Sequence, residues 1–288
     1  MKPFVQKLTA NGPVITDGAW GTQFQTLGLA SGELADPWNL SHPDRVEQVA
    51  RSYVDAGSQV ILTNTFRSNR LTLASHGLAG DIVEINRAGV EVSRRAANGK
   101  AYVFASLGPS GKLLMSGEVT EAELASVFEE QARILADAKP DAIVVETMSD
   151  VAEAVIAVRA AATTGLPVVV SLVFDTGKNK DRTMMGDTPE RAAEQLAAAG
   201  ADIIGANCGQ GIAGYIPVCR RLKAASDRPV WIKANAGLPE LEGGRTVYKT
   251  TAAEFASQVP ALKDAGASFI GGCCGTSPEF IRAIRGVL

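Results

Sequence analysis

The feature that most constrains the fold is a regular alternation of short, β-branched apolar runs with amphipathic stretches. Eight runs have the length and composition of strands: residues 14–16, 59–64, 102–107, 142–146, 168–174, 202–206, 230–234 and 268–272. Several are almost wholly apolar, which is typical of strands buried on both faces of a parallel sheet. Eight strand–helix units over 288 residues predict an α/β fold, a single (β/α)8 TIM barrel domain of residues 1–288. A doubly wound open sheet is the alternative, but it normally has fewer strands.

Helix-boundary signals occur between these runs. Residues 120–123 and 251–254 match the capping-box pattern, in which a threonine and a glutamate three positions later bind the first N–H groups of a helix. Pro260 is expected to interrupt the helix after the second box, because proline lacks the N–H that a helix interior needs. Gly200 precedes a predicted strand and can adopt the left-handed conformation that ends a helix. These signals place helices between the strands, as a barrel requires.

Composition excludes several functional classes. Hydrophobic residues make up 46% of the chain and charged residues 20%, which excludes a disordered chain. The net charge of −3 and the lack of a basic stripe argue against a nucleic-acid partner, since binding to phosphates needs positive charge. No apolar run approaches the ~20 residues of a membrane span, and the first residues carry no apolar signal segment. We therefore expect a cytoplasmic protein with no membrane association.

Three of the four cysteines follow predicted strands. Cys208 lies after the sixth run and the adjacent Cys273 and Cys274 after the eighth, whereas Cys219 falls in a helical pattern and is expected in the core. Alone, adjacent cysteines are more typical of small buried residues. Because the carboxyl ends of barrel strands share one rim, the three thiols are expected to converge there. Three thiolates around Zn²⁺ leave one tetrahedral position open, as in catalytic zinc sites.

A thiol that occupied this open position would also lose its proton and become a nucleophile near neutral pH. Two carboxylates, Asp17 and Glu146, lie at the same rim, where they could accept an α-amino group. The glycine-rich turn at residues 17–22 allows backbone N–H groups to approach a carboxylate. Alternatively, Asp17 is a turn or cap residue and Glu146 pairs with an arginine. The position at the rim favours the functional interpretation, a thiol amino acid held at both ends with its sulfur on zinc.

Six stretches resemble, in order, the homocysteine S-methyltransferase family. This family includes the homocysteine-binding barrel of cobalamin-dependent methionine synthase, betaine–homocysteine methyltransferase and S-methylmethionine-dependent enzymes. The matching stretches are DGAWGT at residues 17–22, TNTF at 63–66, SLGP at 106–109, ET at 146–147, GANCG at 205–209 and GGCCGT at 271–276. Each stretch is weak alone, whereas the ordered set over nearly the whole chain is specific.

The resemblance implies a (β/α)8 barrel in which a zinc-bound homocysteine thiolate attacks a methyl group and forms methionine. It implies that the two rim carboxylates bind the amino group of homocysteine, that the asparagine before the first zinc ligand helps to close the zinc site, and that backbone groups take the carboxylate. The residues implied to hold zinc and act in catalysis are Cys208, Cys273 and Cys274, and those implied to bind substrate are Asp17, Gly18, Ser106, Gly108, Glu146 and Asn207.

The resemblance leaves several methyl donors open. Betaine-dependent relatives have a tyrosine after the TNTF-like motif, where this chain has Arg67, and a long C-terminal extension. Trp20 and the TNTF motif are closer to the methionine-synthase barrel. The sequence shows no folate- or cobalamin-binding domain, so we expect methylcobalamin on a separate corrinoid protein, or a methyl group derived from methyltetrahydrofolate, as the donor. S-Methylmethionine, S-adenosylmethionine and betaine are the alternatives.

A different class of protein is the second hypothesis: a zinc-binding barrel without methyl transfer, or a Schiff-base aldolase. Lys233 ends the seventh run and is the candidate for an imine-forming lysine. No phosphate-binding glycine loop separable from the cysteine motif follows the last two strands, which argues against an aldolase.

Overall fold

The computed structural model describes residues 2–242 and 245–288. The barrel strands are β1 (Val14–Ile15), β2 (Val60–Leu62), β3 (Tyr102–Leu107), β4 (Ala142–Met148), β5 (Val168–Leu172), β6 (Ile203–Gly211), β7 (Val230–Asn235) and β10 (Ala267–Gly272). These eight parallel strands form one sheet in the order β1-β10-β7-β6-β5-β4-β3-β2. A short antiparallel hairpin, β8 (Glu240–Glu242) and β9 (Arg245–Val247), lies between the last two barrel strands.

Helices alternate with the barrel strands along the chain. They are α1 (Pro3–Thr9), α2 (Gly21–Thr26), α3 (Trp38–Ser41), α4 (Pro43–Ala56), α5 (Arg70–Ser75), α6 (Ile82–Ala97), α7 (Glu121–Asp137), α8 (Val151–Ala162), α9 (Pro189–Ala199), α10 (Ile212–Ala225), α11 (Ala252–Ser257), α12 (Val259–Asp264) and α13 (Pro278–Arg285). Single 3₁₀ turns occur at Ala79–Asp81 and Leu114–Ser116. None of the helices within the described ranges is long and apolar enough to cross a membrane.

Backbone and side-chain hydrogen bonds join β1 to the segment that contains β2, where the sheet would otherwise be open. In the described residues β1 and β2 share no ladder. Instead, the N–H of Gln59 donates to the carbonyl of Ile15 (2.8 Å), and the N–H of Ile15 donates to Oε1 of Gln59 (2.9 Å). Further along the same two segments, the N–H of Leu62 donates to Oδ2 of Asp17 (2.8 Å). These bonds nearly close the sheet and confirm the predicted TIM barrel.

The barrel interior changes from apolar to polar towards the carboxyl ends of the strands. Its apolar part consists of Val5, Val14, Val60, Leu62, Phe104, Ala142, Val144, Val169, Ile203, Trp231 and Phe269. Because side chains alternate between the two faces of a strand, the residue two positions further along points inward as well. On four strands that next inward residue is polar, namely Ser106, Glu146, Ser171 and Lys233, all of them buried. The fold therefore concentrates buried polar groups at one end of the barrel.

The structure confirms the eight predicted strands, whose ends lie within two residues of the predicted ones except on β6, and it confirms the predicted helix boundaries. Both capping boxes form, and Gly200 is left-handed (φ 110°). The helical segment after the second box is divided into α11 and α12, and Pro260 lies in the first turn of α12. However, β6 continues to Gly211, five residues beyond the predicted end, because its register with β7 shifts after Asn207. The hairpin of β8 and β9 was not predicted, because its sequence lacks the apolar alternation of a half-buried strand. That residues 1–288 form one domain stays a prediction.

Candidate metal and substrate site

Three cysteine thiols converge at the carboxyl end of the barrel. Cys208 lies within β6, and Cys273 and Cys274 directly follow β10. Their three sulfurs lie within 4.8 Å of one another, and the Sγ atoms of Cys208 and Cys274 are 3.8 Å apart. Zinc–sulfur bonds of about 2.3 Å in a tetrahedron hold sulfurs about 3.8 Å apart. The spacing therefore fits three ligands of one tetrahedral ion, and these side chains form a three-cysteine metal site.

Unusual backbone geometry directs the first thiol into the site. Cys208 has a left-handed φ of 62°, and the register between β6 and β7 shifts there. Such a bulge re-aims a side chain, and strained backbone of this kind is concentrated at functional sites. Thr147 on β4 has the same φ of 62° at a second register shift. Both strands thus bend where they line the site.

Hydrogen bonds to β7 hold the other two cysteines. The N–H of Cys273 donates to the carbonyl of Ala234 (2.7 Å), and the N–H of Ala236 donates to the carbonyl of Cys274 (2.9 Å). A side chain at Gly272 would collide with Thr276, whose hydroxyl oxygen would lie 2.2 Å from the added Cβ. That hydroxyl donates to the carbonyl of Cys273 (2.7 Å). The GGCCGT motif is therefore a compact turn in which the missing side chain of Gly272 leaves space for the Thr276 hydroxyl.

The three thiols perturb one another. Hydrogen bonds donated by the Cys273 and Cys274 thiols lower the pKa of Cys208, against the effect of burial. The same coupling raises the pKa of Cys273 and of Cys274, because a second thiolate would lie beside the first. Protein groups alone thus favour one thiolate, at Cys208. A bound cation would be needed to stabilise Cys273 and Cys274 as thiolates as well. This donor set suits a soft divalent ion such as zinc.

Asparagine side chains lie next to the sulfurs. Asn207 Nδ2 is 3.8 Å from Sγ of Cys273 and donates to Thr147 Oγ1 (2.7 Å), while its Oδ1 accepts from the Thr147 N–H (2.8 Å) and the Ser171 hydroxyl (2.6 Å). Asn207 therefore joins the bent ends of β4 and β6. Asn235 hydrogen-bonds Cys208 and helps to lower its pKa, yet its buried Oδ1 has no hydrogen-bond partner in the described part of the chain. An unpaired buried oxygen on a side chain that hydrogen-bonds Cys208 is a candidate metal ligand.

A cavity of about 330 Å³ opens next to the thiols. Three of the predicted substrate residues line it, namely Gly18, Ser106 and Glu146, as do Cys208, Cys273 and Cys274. Trp20, Phe66 and Lys233 are also part of the lining. The other three predicted residues, Asp17, Gly108 and Asn207, lie behind this wall. Gly108 donates its N–H to the carbonyl of Phe66 (2.9 Å). A Cβ at Gly108 would come within 2.5 Å of the Phe66 ring, so Gly108 gives Phe66 its place in the wall.

Glu146 is one of three acidic residues that line the cavity, with Glu33 and Asp36, and it is the one at the carboxyl end of a central barrel strand. Its Oε1 accepts a hydrogen bond from the hydroxyl of Ser106. Burial raises the pKa of Glu146, while the charge of Lys233 and the bond from Ser106 oppose this effect. A partly desolvated carboxylate of this kind is a strong acceptor for an ammonium group.

Asp17 is held by protein groups. Its Oδ1 pairs with the ammonium of Lys233, and its Oδ2 accepts from Trp20 Nε1 (2.7 Å) and from the N–H of Leu62 (2.8 Å). Burial alone would lower the pKa of Lys233, but the charges of Asp17 and Glu146 outweigh it and raise that pKa. The buried ion pair with Asp17 favours the ammonium form of Lys233, whereas an imine-forming lysine has to react as the free amine.

Sequence reasoning gave no role to Lys233 in a methyltransferase, nor to Asn235 or Tyr248. Tyr248 follows β9, packs against Gly275 and hydrogen-bonds Cys274. Burial and the charge of Cys274 raise its pKa. Lys233 lies near the end of the seventh predicted strand, residues 230–234, and Asn235 directly follows it, so their position at the rim was the available signal.

The family model described as homocysteine S-methyltransferase matches residues 14–288. The chain belongs to this family. It is 31% identical over 290 residues to the methionine synthase of Mycobacterium tuberculosis, a match that covers 94% of this chain and 24% of that protein. The methionine synthase of Mycobacterium leprae matches at the same identity and coverage. The chain therefore spans about a quarter of the length of these curated relatives.

Solved structures of the homocysteine methyltransferase MmuM from Escherichia coli share the fold. The metallated form superposes with a TM-score of 0.83 at 20% identity over 99% of both chains. The oxidised form gives a TM-score of 0.82 at 19% identity over 98% of both chains. The predicted family, fold, enzyme class and three-cysteine metal site are confirmed, whereas the roles of individual substrate-binding residues stay predictions.

Proposed function

We propose that this homocysteine S-methyltransferase binds homocysteine in the 330 Å³ cavity and takes the methyl group from a separate corrinoid protein. The observation that carries the proposal is the convergence of Cys208, Cys273 and Cys274 on the wall of a cavity that also presents a carboxylate. These three cysteines would hold zinc, which would supply a position where the substrate thiol is kept as a thiolate near neutral pH. The S–CH₃ bond then forms as the bond from methyl to donor breaks, and the electron pair of that bond stays on the donor.

Residues of the chain orient the substrate. Glu146 faces the cavity and receives the amino group, because a buried carboxylate gains most from a charged partner. The backbone at Gly18 and between Ser106 and Gly108 takes part in binding the carboxylate. Asp17 already bonds three protein groups, so it contributes to the amino-group site by its charge and by the position it gives to Lys233. Asn207 and Asn235 hold the sulfurs in place, and Asn235 Oδ1 would be a fourth ligand before substrate binds.

The surface around the cavity supports a protein as methyl donor. Exposed apolar side chains lie in the loops that follow three strands on the cavity side of the barrel: Leu113, Met115, Met184, Met185, Leu238 and Leu241. Met115 and Leu241 are 75% and 80% exposed. Apolar side chains exposed at the cavity end of the barrel favour a protein as donor, because exposed apolar surface is typical of protein docking sites, and a small donor would not need it.

Zinc analysis followed by a donor screen tests this proposal. The purified protein is expected to contain about one zinc per chain and to form methionine from homocysteine only with a methylcorrinoid protein. Parallel reactions contain S-methylmethionine, S-adenosylmethionine, betaine, methyltetrahydrofolate or free methylcobalamin alone. Turnover with S-methylmethionine, S-adenosylmethionine or betaine alone would identify that compound as the methyl donor and contradict the proposed corrinoid protein. Failure to bind zinc after anaerobic reduction would refute the proposed chemistry itself.

Glu146→Gln tests the amino-group assignment. The variant keeps the shape of the side chain and loses its charge, so we expect homocysteine binding to weaken about 10- to 100-fold while zinc stays bound. Calorimetric titration of the zinc-loaded protein measures both properties. Glu153→Gln is the matched control, because Glu153 is also buried but its Oε1 accepts from the N–H of Ser110 (2.7 Å), away from the cavity lining. Unchanged homocysteine affinity in Glu146→Gln would remove Glu146 from the substrate site.

A further inference from the structure

Lys233 is a buried cation between the two strands that carry the cysteines. Its residue is 2% exposed and lines the cavity. In the sheet, Lys233 is paired with Asn207 on β6 and with Gly271 on β10. It therefore lies one residue before the level of Cys208 and two before that of Cys273, and the Trp231 ring lies 6.0 Å from its Nζ on the apolar side.

The ammonium of Lys233 has bonding capacity that the protein does not use. An ammonium group has three hydrogens to donate, and one of them bonds Asp17 Oδ1. In the described part of the chain no second side-chain or backbone acceptor hydrogen-bonds Nζ. A desolvated N–H group without an acceptor destabilises the folded protein. A ligand that brings an acceptor to Nζ would therefore bind more tightly.

The substrate itself carries such an acceptor, its α-carboxylate. In homocysteine the carboxylate lies four bonds from the sulfur, so a sulfur at the cysteine triad places the carboxylate near the adjacent wall. The acidic groups near Lys233 are Asp17, which pairs with its ammonium, and Glu146, which lines the same cavity. An anionic carboxylate needs a cation among them, and Lys233 is the buried one. Arg67 also lines the cavity but is exposed and lies beside Phe66.

We propose that Lys233 binds the α-carboxylate of the thiol substrate and so selects α-amino acid thiols over thiols that lack a carboxylate. Asp17 is the positioning residue that orients the ammonium from behind the wall. This inference rests on the proposed homocysteine site and adds a side chain that distinguishes the two ends of the amino acid: Glu146 for the ammonium and Lys233 for the carboxylate.

The test compares two thiols on the zinc-loaded protein. Dissociation constants are measured by calorimetry for homocysteine and for 3-aminopropane-1-thiol, which has the same carbon chain and amino group but no carboxylate. We expect Lys233→Met to weaken homocysteine binding about 10- to 100-fold and to change the affinity for 3-aminopropane-1-thiol less than about threefold. Arg67→Met is the matched control and should keep the preference of the wild type.

Each alternative gives a different result. Equal loss of affinity for both thiols in Lys233→Met would overturn the proposal and make Lys233 a structural residue. Loss of the preference in Arg67→Met would assign the carboxylate to Arg67 instead. If the wild type binds zinc but neither thiol, the proposed function fails and this inference fails with it.

Removal of Lys233 alone leaves Asp17 buried without its partner, which can destabilise the barrel. The double variant Asp17→Asn/Lys233→Met removes both charges. Both thiols carry the amino group, so loss of the Asp17 charge should weaken both to the same extent, and the preference for homocysteine over 3-aminopropane-1-thiol should fall as in Lys233→Met. Zinc content and circular dichroism verify that each variant is folded. A folded double variant that still prefers homocysteine as strongly as the wild type would also overturn the proposal.

Discussion

Individual cysteines of this chain show how strongly the surroundings decide the chemistry of one residue type. Cys219 is fully buried in the core, burial raises its pKa to about 12, and its thiol donates to the carbonyl of Ala265 (3.6 Å). Cys208 lies beside two other thiols that lower its pKa. The first is an inert apolar side chain and the second is prepared to be a thiolate.

Cys274→Ala should remove bound zinc and methyl transfer while the barrel stays folded, because the metal site lies at the rim rather than in the core. Cys219→Ala is the matched control. It should keep a full complement of zinc and lose about 1–2 kcal/mol of the free energy of unfolding. Atomic emission for zinc, circular dichroism and urea unfolding measure these effects. Near-stoichiometric zinc in Cys274→Ala would contradict the three-thiolate site.

Residue positions were predictable where one rule places them, and side-chain partners were not. The rule that barrel strands end at one rim was sufficient to bring Cys208 near Cys273 and Cys274. The pair of Asp17 and Lys233 joins residues 216 apart in the sequence. Their contact depends on side-chain directions across the barrel, which no local pattern in one sequence contains.

Asp36 provides a pH test at the same scale. Burial raises the pKa of this carboxyl to about 6, although its Oδ1 accepts from the N–H of Arg67 (2.8 Å) and the hydroxyl of Ser68 (2.6 Å). Between the ordinary value of 3.8 and about 6, the folded state therefore holds a proton that the unfolded state has lost. This group's contribution to stability is present below pH 4 and is lost as the pH rises through 6.

Asp36→Asn keeps an acceptor and cannot ionise. We expect it to be more stable than the wild type at pH 7, by at most about 3 kcal/mol, and equally stable at pH 4. Urea unfolding of both proteins at pH 4, 5, 6 and 7 measures the difference, and comparison of the pair cancels the titration of other groups. A difference that is independent of pH would show that Asp36 is ionised in the folded state at pH 5.

At the scale of strands and helices, local signals were sufficient for the regular parts and failed at the bends. The capping boxes and the apolar runs depend on neighbouring residues, so they were readable. The bends at Thr147 and Cys208 place non-glycine residues at a φ of 62°, which their sequence does not announce. Asn207 stabilises both bends through its bonds to Thr147. The geometry of the site thus arises from a tertiary clamp between β4 and β6.

Gly205→Ala should disrupt the pairing of β6 with β7. A Cβ at Gly205 would lie 1.9 Å from the carbonyl oxygen of Trp231, and a backbone atom in a paired strand cannot move away without breaking the ladder. We expect a loss of about 3 kcal/mol or more, measured by urea unfolding. Gly80→Ala is the control, because nothing lies within 4 Å of its added Cβ. Equal stability of the two variants would contradict this packing.

At the scale of the whole molecule, the barrel separates stability from chemistry. The apolar interior extends from α1 to the level of Trp231, with Phe4 against Tyr102 (ring centroids 5.1 Å apart) at its base. The cavity, the thiols and the exposed apolar loops lie at the other end. A change at the base should therefore alter the free energy of unfolding and leave the site intact.

Val5→Asp tests this separation. Val5 is fully buried in the interior cluster, and an unpaired carboxylate there should cost about 3 kcal/mol or more, since burial of a charge without a partner is unfavourable. Below its lowered unfolding temperature, the variant should still bind zinc stoichiometrically and bind homocysteine with unchanged affinity. Gln6→Asp places the same charge at the adjacent exposed position of α1 and should change neither stability nor binding. Loss of zinc in folded Val5→Asp would show instead that the base of the barrel and the rim are energetically coupled, because only a displacement transmitted along the strands could reach the thiols.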